Sequence, residues 1–227
     1  MPSVTIPVNR PVDASLREQA ARMRDEFRRQ GTLVVNIVSS PGAGKTTLLE
    51  ATAKHWGGRR RIAVLVGDIA TDRDAERLAP WVPVRQLTTG GACHLELPLV
   101  QRGLADLNLP NLEFLFIENI GNLVCPASHD LAEHLRVVLL STTEGDDKPG
   151  KYPKMFRTSQ ALVISKGDLL PYVPFDASRA VEDARRIQPE LATVTVAAHR
   201  GEGVAAWCEL LEAARSRMLA LSPAAAK

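Results

Sequence analysis

Leu33-Val34-Val35-Asn36-Ile37-Val38-Ser39-Ser40-Pro41-Gly42-Ala43-Gly44-Lys45-Thr46-Thr47-Leu48-Leu49 runs from an apolar strand through a glycine-bearing turn into the start of a helix. Five of the six residues in Leu33–Val38 are apolar, which suits a strand buried on both faces. Small residues in the turn let backbone N–H groups close around phosphate oxygens at a helix N-terminus. The order is that of the phosphate loop G-x-x-x-x-G-K-[ST], with Ser39 at the first glycine position. On this reading Gly42, Ala43, Gly44, Lys45, Thr46 and Thr47 bind a nucleotide. Lys45 supplies positive charge to the β- and γ-phosphates, and the Thr46 hydroxyl ligates Mg²⁺.

Working outward, further apolar runs at Ile62–Val66, Phe114–Ile117, Val137–Leu140, Leu162–Ile164 and Val194–Val196 read as buried parallel strands, with Val82–Leu87 a weaker candidate. Helix-length stretches separate them. The rhythm predicts an α/β fold: a doubly wound, mostly parallel sheet of the P-loop NTPase type with helices on both faces. Ligand sites are then expected beyond the carboxyl ends of the strands. Residues 1–12 hold three prolines and no period, and read as an extended arm. A helix over 14–30 follows, capped by Asp13 or Ser15 and stopped at Gly31. These divisions give an arm and helix over 1–31, a nucleotide-binding domain over 32–221 and a flexible tail over 222–227. The arginines of the first helix, Arg17, Arg22, Arg24, Arg28 and Arg29, suit either a partner or a solvated face.

At 227 residues, 45% hydrophobic and 24% charged, the chain has the profile of one soluble domain with a sizeable core. Its net charge of +2 is too balanced for nucleic-acid binding by bulk electrostatics. No apolar run approaches the ~18 residues that span a bilayer, and the N-terminus has no signal segment. A cytoplasmic protein with no membrane insertion is expected. Three cysteines form no disulfide framework, so a special cysteine is expected to be a ligand or nucleophile.

P-loop enzymes need a carboxylate at another strand end to hold Mg²⁺ or its waters. Asp68 closes one strand. Glu118 closes another and has E-x-x-G spacing to Gly121, so that the Gly121 N–H can reach the γ-phosphate. Lys45, Asp68 and Glu118 are the predicted catalytic residues, and Thr46, Asp68, Asp74 and Glu118 the predicted Mg²⁺ set. A later strand ends in Ser165-Lys166-Gly167-Asp168. A carboxylate at Asp168 can accept from guanine N1–H and N2–H₂, a donor pair adenine lacks, and the Lys166 stem can cover the base; GTP is therefore expected even though Ser165 stands where N-K-x-D has Asn. Cys93-His94 and Cys125 lie on segments that should emerge on the nucleotide side, where thiolate and imidazole suit Zn²⁺ or Ni²⁺; inert buried thiols are the competing reading. Three ligands leave a site that a symmetric partner, water or a client would complete. Cys208 lies on the apolar stripe of a final helix over about 203–221 and reads as core. The stretch 143–149 either places Lys148 near phosphates or is a solvated charged loop.

Taken together, SSPGAGKTTLLE, GDIATDRDAERL, GACHLE, ENIGNLVCPA, TEGDDKPGKYPKMF and SKGDLLP resemble the HypB-type GTPases that help insert nickel into [NiFe]-hydrogenase, over roughly Leu33 to Met218. The resemblance implies a slow GTPase acting as a metallochaperone, with Ni²⁺ or Zn²⁺ on Cys93, His94 and Cys125 at a dimer interface. It implies GTP-dependent homodimerisation, a HypA-type zinc/nickel accessory partner and a [NiFe]-hydrogenase large-subunit precursor as client. An N-terminal cysteine cluster and a histidine-rich tract found in some relatives are missing, which implies a delivery enzyme without a nickel store. Three rivals are a urease-accessory GTPase, whose Cys-Pro-His signature is not met because Ala127 follows Pro126, a P-loop ATP-dependent kinase, and a metal-binding scaffold without catalysis. Because Glu118, Gly121 and Cys125 share one connector, nucleotide state is expected to move Cys125 against Cys93 and His94.

Overall fold

The computed structural model describes residues 10–69, 72–107 and 110–221. Its seven strands are β1 (Leu33–Ser39), β2 (Ile62–Asp68), β3 (Val84–Thr88), β4 (Phe114–Gly121), β5 (Leu135–Ser141), β6 (Ala161–Ser165) and β7 (Ala192–Thr195). They form one sheet in the order β3-β2-β4-β1-β5-β6-β7. Every pairing is parallel, so the expected doubly wound sheet is present and all strands send their carboxyl ends to one rim. The weaker strand candidate is the edge strand β3.

The helices are α1 (Arg10–Gln30), α2 (Lys45–Trp56), α3 (Arg73–Leu78), α4 (Leu97–Ala105), α5 (Lys148–Lys151), α6 (Pro153–Arg157), α7 (Ala177–Ile187) and α8 (Val204–Ala220). Alternation along the strands assigns them to the two faces. Leu33, Val35 and Ile37 of β1 pack with Phe114, Phe116, Val137 and Leu139 against Leu48, Leu49 and Trp56 of α2 and Trp207 and Leu211 of α8. On the other face, Val34 and Leu115 meet Val100 of α4 and Met23 and Phe27 of α1. Val138, Leu140, Leu162 and Ile164 meet Met155 and Phe156 of α6 and Ala180 and Ala184 of α7. Cys208 is 2% exposed within the first of these clusters. Burial pushes its thiol up to about 12, so it is a core residue as expected.

The first helix departs from expectation. It begins at Arg10 rather than after Asp13, so residues 10–12 are helical and not part of an extended arm. The reason is that Pro11 falls in the opening turn, where a missing N–H removes no helical hydrogen bond and the fixed φ is already helical. The rest of the arm and the tail 222–227 lie outside the described residues. Arg24 is also no mere solvated arginine: its Nε donates to the Glu133 carbonyl at 2.8 Å and its guanidinium pairs with Asp130. His134 completes this junction, its Nδ1 accepting from the Val34 N–H at 3.1 Å while Nε2 donates to the Arg24 carbonyl at 3.0 Å. Both ring nitrogens are used by the neutral form, and burial lowers the His134 pKa to about 4.

Candidate nucleotide and metal sites

The phosphate loop leaves β1 at Ser39. Gly42 and Gly44 have φ of 70° and 97°, a left-handed conformation that glycine adopts without a Cβ penalty, and no described atom lies within 4 Å of where a Cβ would stand. The loop is thus an open cradle ending at the N-terminus of α2. Lys45 and Thr46 are buried at its base. Lys45 Nζ donates to Ser39 Oγ at 3.2 Å, and Ser39 Oγ donates to the Ser40 carbonyl at 2.6 Å. The serine in the first glycine position therefore fits and also holds the lysine. Burial lowers the Lys45 pKa against the opposing charges of Glu118, Asp74, Asp68 and Glu144.

Glu118, from the adjacent β4, accepts from Thr46 Oγ1 at 2.8 Å through Oε1. Its Oε2 is buried with no hydrogen-bond partner among the described residues. Burial pushes the carboxyl up to about 7, with the Lys45 charge and the Thr46 hydroxyl pulling the other way. An orphaned carboxylate oxygen beside a threonine hydroxyl is the donor set that Mg²⁺ takes. Asp68 ends β2, where its carbonyl accepts from the Thr89 N–H. Asp74 lies in the first turn of α3, 3.8 Å from Arg77. Thr47 accepts from Arg77 at 3.3 Å. In the stretch 143–149, Lys148 lies 3.6 Å from Glu144 and over the Tyr152 ring, so this loop is not merely solvated.

The segment expected to read the base lies at the carboxyl end of β6. Ser165 Oγ donates to the Ala43 carbonyl at 2.6 Å, tying this strand end to the phosphate loop. Lys166 has φ 55°, and its Nζ donates to Thr143 Oγ1 at 3.2 Å. The Asp168 side chain is 5% exposed, with Oδ2 3.6 Å from His199 and 3.8 Å from Arg200. Its Oδ1 has no hydrogen-bond partner among the described residues.

The two cysteine segments converge as expected. Cys93 and Cys125 are free thiols with Sγ atoms 2.8 Å apart, and His94 Nδ1 lies 3.7 Å from Cys93 Sγ. The potential ligand atoms of Cys93, His94 and Cys125 are mutually within 4.8 Å. The proton shared with Cys125 raises the Cys93 pKa, and burial lowers that of His94. Both shifts favour neutral groups, which a divalent cation would reverse for the thiols.

Sequence reasoning missed the parts that hold this centre. Asn122 follows Gly121; its Nδ2 donates to the Cys93 carbonyl at 3.3 Å, and its Oδ1 accepts from Val124 N at 2.7 Å and Cys125 N at 3.4 Å. One amide therefore spans both cysteine segments. A Cβ on Gly121 would stand 2.7 Å from Pro41 Cα, so the same connector also touches the phosphate loop. A buried polar chain adds a second link. Leu95 N donates to Asn119 Oδ1 at 3.4 Å, Asn119 Nδ2 to Asn36 Oδ1 at 3.2 Å, and Asn36 Nδ2 to Glu133 Oε1 at 3.2 Å. Arg136 pairs with Glu133 at 2.5 Å and donates to the His129 carbonyl at 2.6 Å. His129 itself stacks on His94 with ring centroids 3.8 Å apart. The spacing Cys125-x-x-x-His129 was the available signal for it.

Residues 33–195 match the family model described as CobW/HypB/UreG, nucleotide-binding domain. The chain is 45% identical over 201 residues to a hydrogenase maturation factor HypB of Azotobacter vinelandii, covering 88% of this chain but 66% of that protein, a little under two thirds of its length. It is 40% identical to a hydrogenase/urease maturation factor HypB of Helicobacter hepaticus, covering 88% of this chain and 84% of the relative. The crystal structure of HypB from Helicobacter pylori in complex with nickel superposes with a TM-score of 0.84 at 38% identity, covering 90% of this chain and 97% of that one. No helix among the described residues is long and apolar enough to cross a membrane.

Proposed function

We propose a function from one premise: this chain belongs to the HypB hydrogenase maturation factors of the CobW/HypB/UreG family. It is a GTP-hydrolysing metallochaperone whose cargo is nickel, or zinc in its absence. Gly42, Ala43, Gly44, Lys45, Thr46 and Thr47 hold the phosphates, and Lys166 and Asp168 hold the base. The unpartnered, buried Asp168 Oδ1 supports guanine over adenine, because only guanine brings a donor pair to it. Thr46 and Glu118, with Asp68 and Asp74 alongside, suit Mg²⁺, which supplies neutralising charge to the phosphates when bound. Turnover without a partner is slow, ~10⁻⁴ to 10⁻² s⁻¹ for GTPases of this kind.

Cys93, His94 and Cys125 carry the cargo, incompletely in one chain, and a second copy in the GTP state closes the site. A HypA-type protein and a [NiFe]-hydrogenase large-subunit precursor are the exchange partner and the client. The observation that carries this reading is the Gly121–Asn122 connector, which touches Pro41 on one side and bonds both cysteine segments on the other. A γ-phosphate that draws the Gly121 N–H inward therefore shifts the two sulfurs relative to each other. Nickel(II) accepts square-planar N/S donors while zinc holds to a tetrahedron, so a small shift changes which ion is kept. Nickel titrations with GDP and with a non-hydrolysable GTP analogue test this. Affinities that differ severalfold are expected, and equal affinities overturn the coupling, since a ligand without differential binding shifts no equilibrium.

A further inference from the structure

His94 belongs to a second group besides the thiols. Its Nε2 is buried without a hydrogen bond among the described residues and lies 3.5 Å from Glu96 Oε1. The potential ligand atoms of His94, Glu96 and His129 are mutually within 4.8 Å. The His129 ring stacks on His94 at an interplanar angle of 27°. His129 is also prepared for ligation. Its Nδ1 lies 2.9 Å from the Cys125 carbonyl oxygen, so that nitrogen carries the proton and donates it, leaving the Nε2 lone pair for a ligand. A backbone carbonyl in this role is the common outer shell of a metal-binding imidazole. Arg136 fixes the His129 carbonyl from the other side.

We propose that His94, Glu96 and His129 form a second station for a divalent transition-metal ion, adjoining the thiol pair and sharing His94 with it. Two imidazoles and one carboxylate suit borderline ions such as Ni²⁺, Zn²⁺ and Co²⁺, whereas Mg²⁺ and Ca²⁺ favour oxygen-only sets. His94 faces the thiols with Nδ1 and Glu96 with Nε2. A neutral imidazole has one lone pair, so His94 serves one station at a time. An ion passing from the nitrogen station to the sulfurs leaves Nε2, which takes a proton from water, and binds Nδ1, which gives one up. The thiols release their own protons as they ligate. The inference extends the cargo reading above and fails separately from it.

The test is a Co²⁺ titration of the full chain without nucleotide, read by visible absorption. The Cys93→Ser/Cys125→Ser variant is expected to bind one Co²⁺ with d–d bands and no sulfur-to-metal charge transfer. Adding Glu96→Gln, at an exposed position that leaves folding alone, should weaken that binding about tenfold. Adding His129→Phe, which keeps a flat ring against His94, should weaken it at least as much. A double-serine protein that binds no Co²⁺, or binds it equally with both further changes, overturns the second station. Thiolate bands absent from the unmodified protein while the nitrogen-type bands persist would support this station and sink the sulfur site.

Discussion

Glu118 couples the proposed Mg²⁺ site to the stability of the fold. Its folded pKa of about 7 lies above the ordinary carboxyl value of 4.5, so below 4.5 both folded and unfolded states are protonated and no penalty exists. Between 4.5 and 7 the unfolded carboxyl has lost a proton that the folded one retains, and stability falls as pH rises. Above 7 the penalty is complete, at about 3 kcal/mol. Glu118→Gln is therefore expected to stabilise the nucleotide-free protein at pH 8 by about 2 kcal/mol in urea unfolding while losing Mg²⁺-dependent turnover. His134 has the opposite sense. Its pKa is depressed to about 4, so the unfolded state binds a proton first and stability drains as pH falls from 6.5 toward 4. Allowing for partial exposure, the loss at pH 5 is about 1–2 kcal/mol, and His134→Gln should flatten that part of the stability profile. Asp168→Asn should cost GTP at least about a hundredfold in affinity and favour a xanthine nucleotide, whose second carbonyl accepts where guanine donates.

Among the elements, the turn that carries Cys125 and His129 depends on β5 for its position. Arg136 reaches back from that strand to Glu133, Thr158 and the His129 carbonyl. Arg136→Met leaves Glu133 buried and uncompensated, and about 3 kcal/mol of destabilisation is expected by urea denaturation. Glu133→Leu added to it should recover part of that loss, since an apolar pair replaces a charged one. Gly121→Ala should weaken nucleotide binding at least tenfold and also lower stability in urea unfolding, because a Cβ there would stand 2.7 Å from the Pro41 backbone. These contacts also mark what sequence could convey. β1, the loop glycines and the carboxylates at strand ends were legible because each signal is local: an apolar run, a turn residue, an acid after a strand. Asn122, His129 and Arg136 were not, because their importance comes from neighbours 7 to 35 positions away that only the folded sheet brings close. The start of α1 was misread because prolines at a helix opening look the same in sequence as prolines in an extended arm.

At the scale of the whole molecule, two of the buried oxygens without a hydrogen-bond partner among the described residues belong to the proposed nucleotide site. These are Glu118 Oε2 and Asp168 Oδ1, and on the proposed reading GTP with Mg²⁺ would engage both. GTP with Mg²⁺ at a hundred times its dissociation constant should stabilise the fold by about 2.7 kcal/mol, seen as a rise in melting temperature. ATP at the same concentration should give a much smaller rise, and an equal one would reject the guanine assignment. The residues proposed to hold nucleotide and metal lie along a single rim of the sheet, and the turn of residues 57–61, which enters β2, lies along the other. A seven-residue strand spans about 23 Å, so a dye or a surface tether attached at that turn would sit well clear of the proposed nucleotide and metal sites. The molecule thus comes with a built-in handle by which a single copy can be watched, or anchored, while it works.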